Sequence, residues 1–343
     1  MDLLELTVLL TVHPEVIKLL DWNKLVTFCD LVWWLKAEIS AVQPPGDATA
    51  PLSLPSHIED FFAAVFSLAT GDIKRLWVAL RQLAWEGEKT GTLQQRHAQE
   101  LLPLFLKYGK QFDLGFYNLR PPTRVCSDPR CTKKPKKRAR LADDSYGVKQ
   151  SMLGEARSHD IVIFTRDLGP VPAKATSLYC RGCKTRYYHN YFVHDRASTR
   201  TYYSDPPPFI QIAQHISSEV CEDIANSMVL SWTSATNAAE IYNLAECPGE
   251  LVAELNLDSK LSKHLTTVQA WDASFTHSLL LHHQKHGTTL ELDHNAPRSP
   301  ALQARNLMMV GPGQEERSHA CDLCCWVHEN KDGEAGMLHR HKP

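Results

Sequence analysis

The order of apolar and polar residues divides the chain into helical flanks and a centre of short strands. After Pro14, which suits the first turn of a helix, apolar residues recur from Val16 to Leu35 at roughly helical spacing. The same spacing predicts further helices at 57–69, 73–85 and 93–108. We therefore expect a helical N-terminal region that serves packing or contact with a partner.

Between residues 116 and 205, short segments rich in β-branched and aromatic residues replace the helical pattern. Gly, Pro and Asp bound these segments, which predicts strands at 160–165, 177–180, 185–193 and 200–204. Helical patterns return at 208–228, 234–245 and 259–286. A linker at 293–305 and a short Cys/His-rich tail follow.

These patterns predict a mixed α+β fold, with mainly helical flanks around a small β module that resembles a zinc ribbon. Four regions are expected along the chain. They are a helical N-terminal region at 1–115, a zinc-binding cysteine-cluster domain with a basic insertion at 116–245, a helical segment at 246–295, and a linker with an incomplete Cys/His-rich tail at 296–343.

Composition places the chain among soluble globular proteins. Of its 343 residues, 43% are hydrophobic and 22% are charged, and no apolar run reaches the roughly 18 residues needed to cross a bilayer. The N-terminal segment contains Asp2 and Glu5 and has no basic leader, which argues against a secretory signal. We expect an intracellular protein with no membrane partner.

The net charge of -2 hides a strong separation of charge. Residues 116–203 contain eighteen Lys and Arg against seven Asp and Glu, so the centre is basic and the flanks are acidic. Such a segregated positive field indicates an anionic partner, most commonly nucleic acid.

Ten cysteines in an intracellular chain require an explanation, because a reducing compartment favours metal ligation or catalysis over disulfides. Three of them, Cys29, Cys221 and Cys247, stand alone in apolar or helical surroundings and are interpreted as buried small hydrophobic residues. The others form two groups, one of Cys126, Cys131, Cys180 and Cys183 and one of Cys321, Cys324 and Cys325.

The first group has the composition of a zinc site. Zn²⁺ prefers four soft ligands in a tetrahedron, and two turns that each present two thiolates complete such a site. Gly182, inside the second pair, offers the backbone freedom that such a turn often uses. Four thiolates leave no open coordination position, so the predicted role of Zn²⁺ at Cys126, Cys131, Cys180 and Cys183 is structural.

Other interpretations of these cysteines stay open. A thioredoxin-like redox pair would open a helix in a βαβ unit, whereas Cys180 and Cys183 separate two predicted strands. Buried free thiols are a further alternative, and His189 or His194 could replace a ligand. In the tail, Cys321, Cys324, His339 and His341 form a weaker second candidate site.

Basic residues suggest two surface functions. Residues Lys133, Lys134, Lys136, Lys137 and Arg138 match a nuclear-import pattern, although the run would also suit a solubilising or phosphate-contacting loop. Basic and aromatic residues then interleave, which is typical of nucleic-acid binding unless the tyrosines fill the small core. The candidate nucleic-acid contacts are Arg181, Lys184, Arg186, Tyr188, Arg196 and Arg200.

Several segments, taken in order, resemble a known family. The series VCSDPRC, IVIFTRDLGPVPAKATSLYCRGCKTRYYHNYFV, RTYYSD, FIQIAQHI and SWTSATNAAEIYN is similar to the fungal cysteine-cluster domain of the fifth type associated with KDZ (Kyakuja-Dileera-Zisupton) transposases. The resemblance covers about 120–245. The tail segment SHACDLCC resembles the start of the sixth-type cluster.

The resemblance implies a zinc-chelating accessory module of a mobile-element protein, with Cys126, Cys131, Cys180 and Cys183 as ligands and a contribution to DNA recognition. No carboxylate constellation suited to two-metal phosphoryl chemistry is visible, so we expect no enzymatic activity. Expected partners are DNA and transposase or other protein subunits in the nucleus, with no small-molecule substrate.

Three alternatives to this function remain. The chain could be a protein-interaction module of a nuclear complex whose acidic flanks contact partner subunits. It could be a non-functional fragment of a KDZ transposase. It could also be a nuclease or transposase whose catalytic residues the sequence pattern does not reveal.

Overall fold

The chain folds into two units, residues 1–295 and 296–343. The computed structural model describes residues 11–41, 43–44, 47–86, 91–128, 131, 152–195, 199–212, 214–247, 261–293, 325–329 and 335–339. Within these ranges, none of the helices combines the length and apolar character needed to span a bilayer.

The helical pattern of the N-terminal region forms helices, although the predicted stretch from Val16 to Leu35 is two helices that separate at Leu20 and Asp21. The helix Trp22–Trp34 begins after Asp21, whose carboxylate accepts a hydrogen bond from the amide of Lys24 and so caps the first turn. Buried aromatic and aliphatic residues hold the helices together, including Phe28, Phe61 and Trp77. The helices are α1 (Pro14–Leu19), α2 (Trp22–Trp34), α3 (Lys36–Ser40), α4 (Ser56–Phe66), α5 (Thr70–Glu86) and α6 (Gly91–Tyr108), followed by a 3₁₀ turn at Gly109–Phe112.

The central region and the segments after it form a nine-stranded sheet that curls into a half-barrel. The strands are β1 (Tyr117–Leu119), β2 (Gly154–Thr165), β3 (Gly169–Cys180), β4 (Thr185–Tyr187), β5 (Tyr191–His194), β6 (Thr199–Tyr202), β7 (Phe209–Gln211), β8 (His215–Ser217) and β9 (Glu291–Asp293). The strand order is β7-β8-β2-β3-β4-β5-β6-β9, and β1 pairs in parallel with β3.

A long hairpin of β2 and β3 forms the central part of this sheet. Its register runs from Thr165 opposite Gly169 to Gly154 opposite Tyr179. Gly169 has a φ of +65°, a left-handed conformation that glycine adopts without the steric cost of a Cβ atom. The hairpin extends well beyond the predicted strands 160–165 and 177–180, because exposed polar residues of β2 pair with β3 without showing an apolar pattern.

Helices cover both faces of the hairpin where β2 is fully buried. Ile161 and Ile163 pack into the core of the N-terminal helices. On the other face, the ring of Phe164 lies 5.9 Å from that of Tyr242, whose hydroxyl donates to the carbonyl of Thr165. Tyr242 belongs to the group of helices α7 (Ser218–Leu230), α8 (Ala235–Glu246) and α9 (Thr267–Lys285). Burial on both faces explains the continuous apolar run IVIF.

The expected mixed α+β class is confirmed, but the small zinc-ribbon module is wrong. The predicted strand at 185–193 is two short strands, β4 and β5. They are separated at Asn190, whose buried side chain accepts from the amide of Gln211 (2.5 Å) and donates to the carbonyl of Phe209 (2.8 Å). The Asn190 side chain therefore holds the β4–β5 turn against β7. As a result, β4 and β5 are part of a larger sheet and do not form an isolated hairpin.

The helix predicted at 208–228 is also partly wrong. Residues in its first half form β7 and β8, and the helix begins only at Ser218, where Ser217 caps it by accepting from the amide of Val220. Ile210 and Ile216 are both buried and lie directly opposite each other in the β7–β8 pair, a contact between strands that the helical interpretation of this segment did not include. The helix at 234–245 is confirmed by α8.

In the second unit, β10 (Cys325–Glu329) pairs antiparallel with β11 (Ala335–His339). Of the second candidate metal site, Cys321, Cys324 and His341 lie outside the described residues, as does the import segment 133–138.

Candidate metal centre

The β3–β4 turn positions two of the four clustered cysteines. Cys180 is the last residue of β3 and pairs with Thr185, the first residue of β4, so Cys183 lies within the tight turn between them. The left-handed residue of this turn is Lys184, with a φ of +58°, and not Gly182 as the sequence suggested. The turn therefore brings two thiols together at one end of the sheet.

The preceding loop brings the other two thiols. Val125 forms a β-bridge with Met152, and the amide of Leu153 donates to the carbonyl of Arg124 (3.0 Å), which fixes the loop at Cys126. The amide of Cys131 donates to the carbonyl of Asp128 and closes the turn that presents the second thiol.

The four sulfur atoms are arranged as a metal ion would require. The Sγ atoms of Cys126 and Cys183 are 3.5 Å apart, those of Cys131 and Cys180 are 3.6 Å apart, and all four lie within 4.8 Å of one another. A tetrahedral site with metal–sulfur bonds of about 2.3 Å has edges of about 3.8 Å. A disulfide would need a separation of about 2.05 Å. The residues therefore fit a four-thiolate metal site.

Burial separates the cluster from solvent on one side. Cys126 and Cys180 are buried, whereas Cys131 and Cys183 are half-buried. Leu153 and Tyr187 share the small hydrophobic cluster of these cysteines. Among the residues that the structure describes, these four cysteines are the side chains that lie close enough together to share one metal ion. His189 and His194 do not belong to this group.

Neighbouring hydroxyl groups orient the sulfur atoms. The hydroxyl of Tyr187 lies 3.3 Å from Sγ of Cys126 and accepts a hydrogen bond from the amide of Ser127 (3.2 Å). Burial raises the pKa of Tyr187, so its phenol remains protonated and donates to the sulfur. The thiol of Cys183 donates to Oγ1 of Thr185 at 3.2 Å, so this hydroxyl is within reach to donate in turn when the sulfur is a thiolate.

The thiols differ in how readily they lose a proton. Burial raises the pKa of Cys126, and it raises that of Cys183 to about 11. Burial acts in the same direction on Cys180, but the amides of Cys183 and Gly182 and the thiol of Cys131 outweigh it and lower the pKa to about 7. The Cys180 thiol therefore loses its proton more readily than the Cys126 and Cys183 thiols, and metal binding must displace protons from those two.

Replacing Tyr187 by phenylalanine should lower metal affinity roughly tenfold without unfolding the chain, because loss of a partner that orients a ligand typically costs ten- to hundredfold. Competition with a chromophoric chelator at pH 7 measures the affinity. Tyr203→Phe is the matched control, because its hydroxyl donates to the carbonyl of Tyr188 and not to a cysteine. Equal affinities for the two variants would contradict this role of Tyr187.

Two arginines attach the loop before Cys126 to the N-terminal helices. Arg120 forms a two-pronged ion pair with the buried carboxylate of Glu38, with both distances at 2.6 Å, and this hydrogen bonding raises the pKa of Arg120. The guanidinium of Arg124 donates to the carbonyls of Ser40, Ala41 and Gln43 at the end of α3. Neither arginine could be recognised from the sequence, because a partner some eighty residues away leaves no local pattern.

The structure distributes the predicted nucleic-acid contacts unevenly. Arg181 and Lys184 are exposed on the cysteine turn, and Arg181 pairs with Glu155. Arg186 is half-buried, donates to Oγ of Ser177 and lies over the ring of Tyr179. Arg200 is only 5% exposed, because β6 directs it towards the ring of Tyr191. Its position removes Arg200 from any surface available to phosphates.

The remaining candidates are less informative. Tyr188 is half-buried, and Arg196 lies outside the described residues. Cys221 and Cys247 are buried, as predicted for small hydrophobic residues, whereas Cys29 is half-buried. Tyr187, Tyr191 and Tyr202 point into the sheet core.

The fold and the site define a class of protein in which four clustered cysteines form a candidate metal centre at one end of a helix-covered sheet. Residues 114–246 match the family described as the CxC5 like cysteine cluster associated with KDZ transposases. This match confirms the family resemblance seen in the sequence and covers less than half of the chain. No curated protein and no solved structure matches the chain.

Proposed function

We propose that this chain is a non-catalytic, transposon-associated nuclear protein that binds zinc at its four clustered cysteines and DNA beside them. The observation that supports the proposal most directly is the set of sulfur–sulfur distances of 3.5 and 3.6 Å within a family segment associated with transposases. Thiolate ligands favour zinc among the common divalent ions of cells, since magnesium and calcium prefer oxygen.

A zinc ion at this site would be structural. It would join the loop that contains Cys126 and Cys131 to the β3–β4 turn that contains Cys180 and Cys183, thereby closing a chain segment of some fifty residues. Four protein ligands leave no position for a catalytic water. The hydroxyls of Tyr187 and Thr185 would then support thiolates and not a reaction.

The charge around the centre supports DNA as the partner. Arg181 and Lys184 are exposed on the turn, although Glu155 offsets part of this charge. The chain leaves the centre at Cys131 and returns at Met152, which is bridged to Val125. The segment 132–151 between them contains seven basic and two acidic residues, so its net positive charge is attached directly to the site.

The test is a fluorescence-anisotropy titration of the zinc-loaded chain with duplex DNA at several salt concentrations. Binding should weaken steeply with salt, and Arg181→Glu combined with Lys184→Glu should reduce the slope by about two, since each lost phosphate contact removes about one. Lys18→Glu combined with Lys24→Glu, two exposed changes on α1 and α2, is the charge-matched control. Equal weakening by the two double variants would contradict this DNA-binding surface.

A protein-interaction function is the second candidate, favoured by exposed apolar residues after β8. Trp232 is 83% exposed and follows α7 in a left-handed conformation. Large exposed apolar side chains of this kind often mark protein contacts. If the chain did not bind DNA but captured a protein subunit independently of salt concentration, these results would favour this candidate over the first. The neighbouring exposed residues are Val229, Leu230, Ile241 and Leu244.

A further inference from the structure

A cleft lined by aromatic rings lies between α2, β1, the β2–β3 turn and β7, and none of the four clustered cysteines lines it. Its cavity has a volume of about 300 Å³, within the range of small-ligand pockets. Trp34, Tyr117 and Phe209 line it, and all three are half-buried. A second cavity of about 220 Å³ shares Trp34 and Tyr117 and adds Trp33.

The rings are held in fixed and mutually tilted positions. The centroids of Trp34 and Tyr117 are 5.4 Å apart with their planes at 42°, and those of Tyr117 and Phe209 are 4.8 Å apart at 53°. The indole N–H of Trp34 donates to the carbonyl of Phe116 (2.6 Å), which fixes its orientation. Three rings held in fixed positions along one cavity offer a bound cation more than one aromatic partner within the roughly 6 Å reach of a cation–π contact.

The rim of the cleft is negatively charged. Asp167 and Glu219 line the cavity and are exposed, and neither takes part in an ion pair among the residues that the structure describes. Arg166 also lies there, but Asp223 holds its guanidinium in a two-pronged pair at 2.5 and 2.7 Å. Both acidic groups act on Tyr117, since burial first and then Glu219 and Asp167 raise its pKa to about 12.

This combination of charge and shape selects the ligand. Aromatic faces attract cations, and they favour a weakly hydrated quaternary ammonium over the strongly hydrated ammonium of unmodified lysine. Two carboxylates at the rim add attraction for a positive group and repel the phosphates of a nucleic acid. The cleft is therefore unsuited to DNA, even though its rings would stack on a base.

We propose that the cleft formed by Trp34, Tyr117 and Phe209 binds the methylated lysine side chain of a partner protein, with Asp167 and Glu219 attracting the cation. The inference goes beyond zinc and DNA binding and does not depend on either. It assigns the N-terminal helices a function, because α2 supplies one wall of the cleft.

Calorimetric titration of the full chain with three short peptides tests the proposal. One contains a single trimethyl-lysine between glycines and serines, the second has unmodified lysine, and the third has a neutral isostere with carbon in place of the charged nitrogen. The trimethylated peptide should bind most tightly, and the neutral isostere roughly ten- to thirtyfold more weakly, as expected for a desolvated cation–π site. Equal binding of the isostere, or no binding by folded chain, would overturn the proposal.

Variants locate the binding site. Phe209→Leu and Glu219→Gln should each weaken binding of the trimethylated peptide by roughly fivefold. Glu222→Gln is the matched control, since Glu222 is exposed on the same helix but does not line the cavity. Glu219→Gln changes an exposed group and keeps the test decisive if Phe209→Leu fails to fold. Identical losses in the Glu219 and Glu222 variants would place binding elsewhere and overturn the assignment.

Discussion

Replacing Cys180 by serine should abolish stoichiometric zinc binding and lower the free energy of unfolding by about 3–5 kcal/mol, the scale of losing a chain cross-link. Cys180 is fully buried, and its sulfur lies 3.6 Å from that of Cys131. A serine hydroxyl is a poor zinc ligand, and three remaining thiols would leave the ion open to water and chelators. The loop at Cys126–Cys131 would then lose its connection to the β3–β4 turn.

Native mass spectrometry before and after the substitution measures the metal, and urea denaturation measures the stability. We expect one zinc per chain from the central site in the wild type and its loss from Cys180→Ser. Cys29→Ser, which changes a half-buried cysteine outside the cluster, should retain that zinc. A folded wild-type chain without zinc would refute the proposed metal, and a variant that keeps its zinc would refute the ligand assignment.

The second large effect is expected from Gly115→Ala, which should destabilise the chain by roughly 3 kcal/mol. A Cβ atom at Gly115 would lie 2.7 Å from the backbone carbonyl carbon and Cα of Ala173 and from the amide nitrogen of Lys174. These are backbone atoms within β3, so they cannot move aside as a flexible side chain would. The next residue, Phe116, donates its amide to the carbonyl of Pro172 at 2.7 Å, which fixes the close approach.

Gly71→Ala provides the matched control for this substitution. Gly71 lies at the start of α5, is exposed, and has no atom within 4 Å of the added Cβ. Alanine there should leave stability unchanged or raise it by up to about 1 kcal/mol, since it is the better helix former. If urea denaturation gave both variants the same stability, the close packing of β1 on β3 would not be the determinant we infer.

Local patterns in the sequence predicted most of the helices and singled out the four cysteines that cluster in the structure. The apolar stripe of α2 needs only its own residues to be recognised, and two closely spaced cysteine pairs indicate a candidate metal site through ligand chemistry alone. The meeting of Cys126 and Cys131 with Cys180 and Cys183 followed from that chemistry, even though a long insertion separates the pairs.

Features that depend on distant partners could not be predicted in this way. Asn190 looked like one position in a continuous strand, yet its buried amide interrupts that strand by bonding to β7. Arg200 looked like a surface cation, but the curl of the sheet buries it beside Tyr191. Nothing in the sequence indicated that Glu38 pairs with Arg120, because the two side chains meet only when α3 packs beside the loop that leads to Cys126.

The packing of β1 has a consequence for how such a domain can be inherited. Phe116, Ile161 and Ile163 belong to the family segment, but their side chains complete the core of the helices that precede it. Recombination that moved residues 114–246 alone into another gene would expose these side chains to water and favour aggregation. A unit that still folds after transfer is therefore expected to be larger than the segment recognised by its cysteines. It would include the upstream helices that bury these side chains.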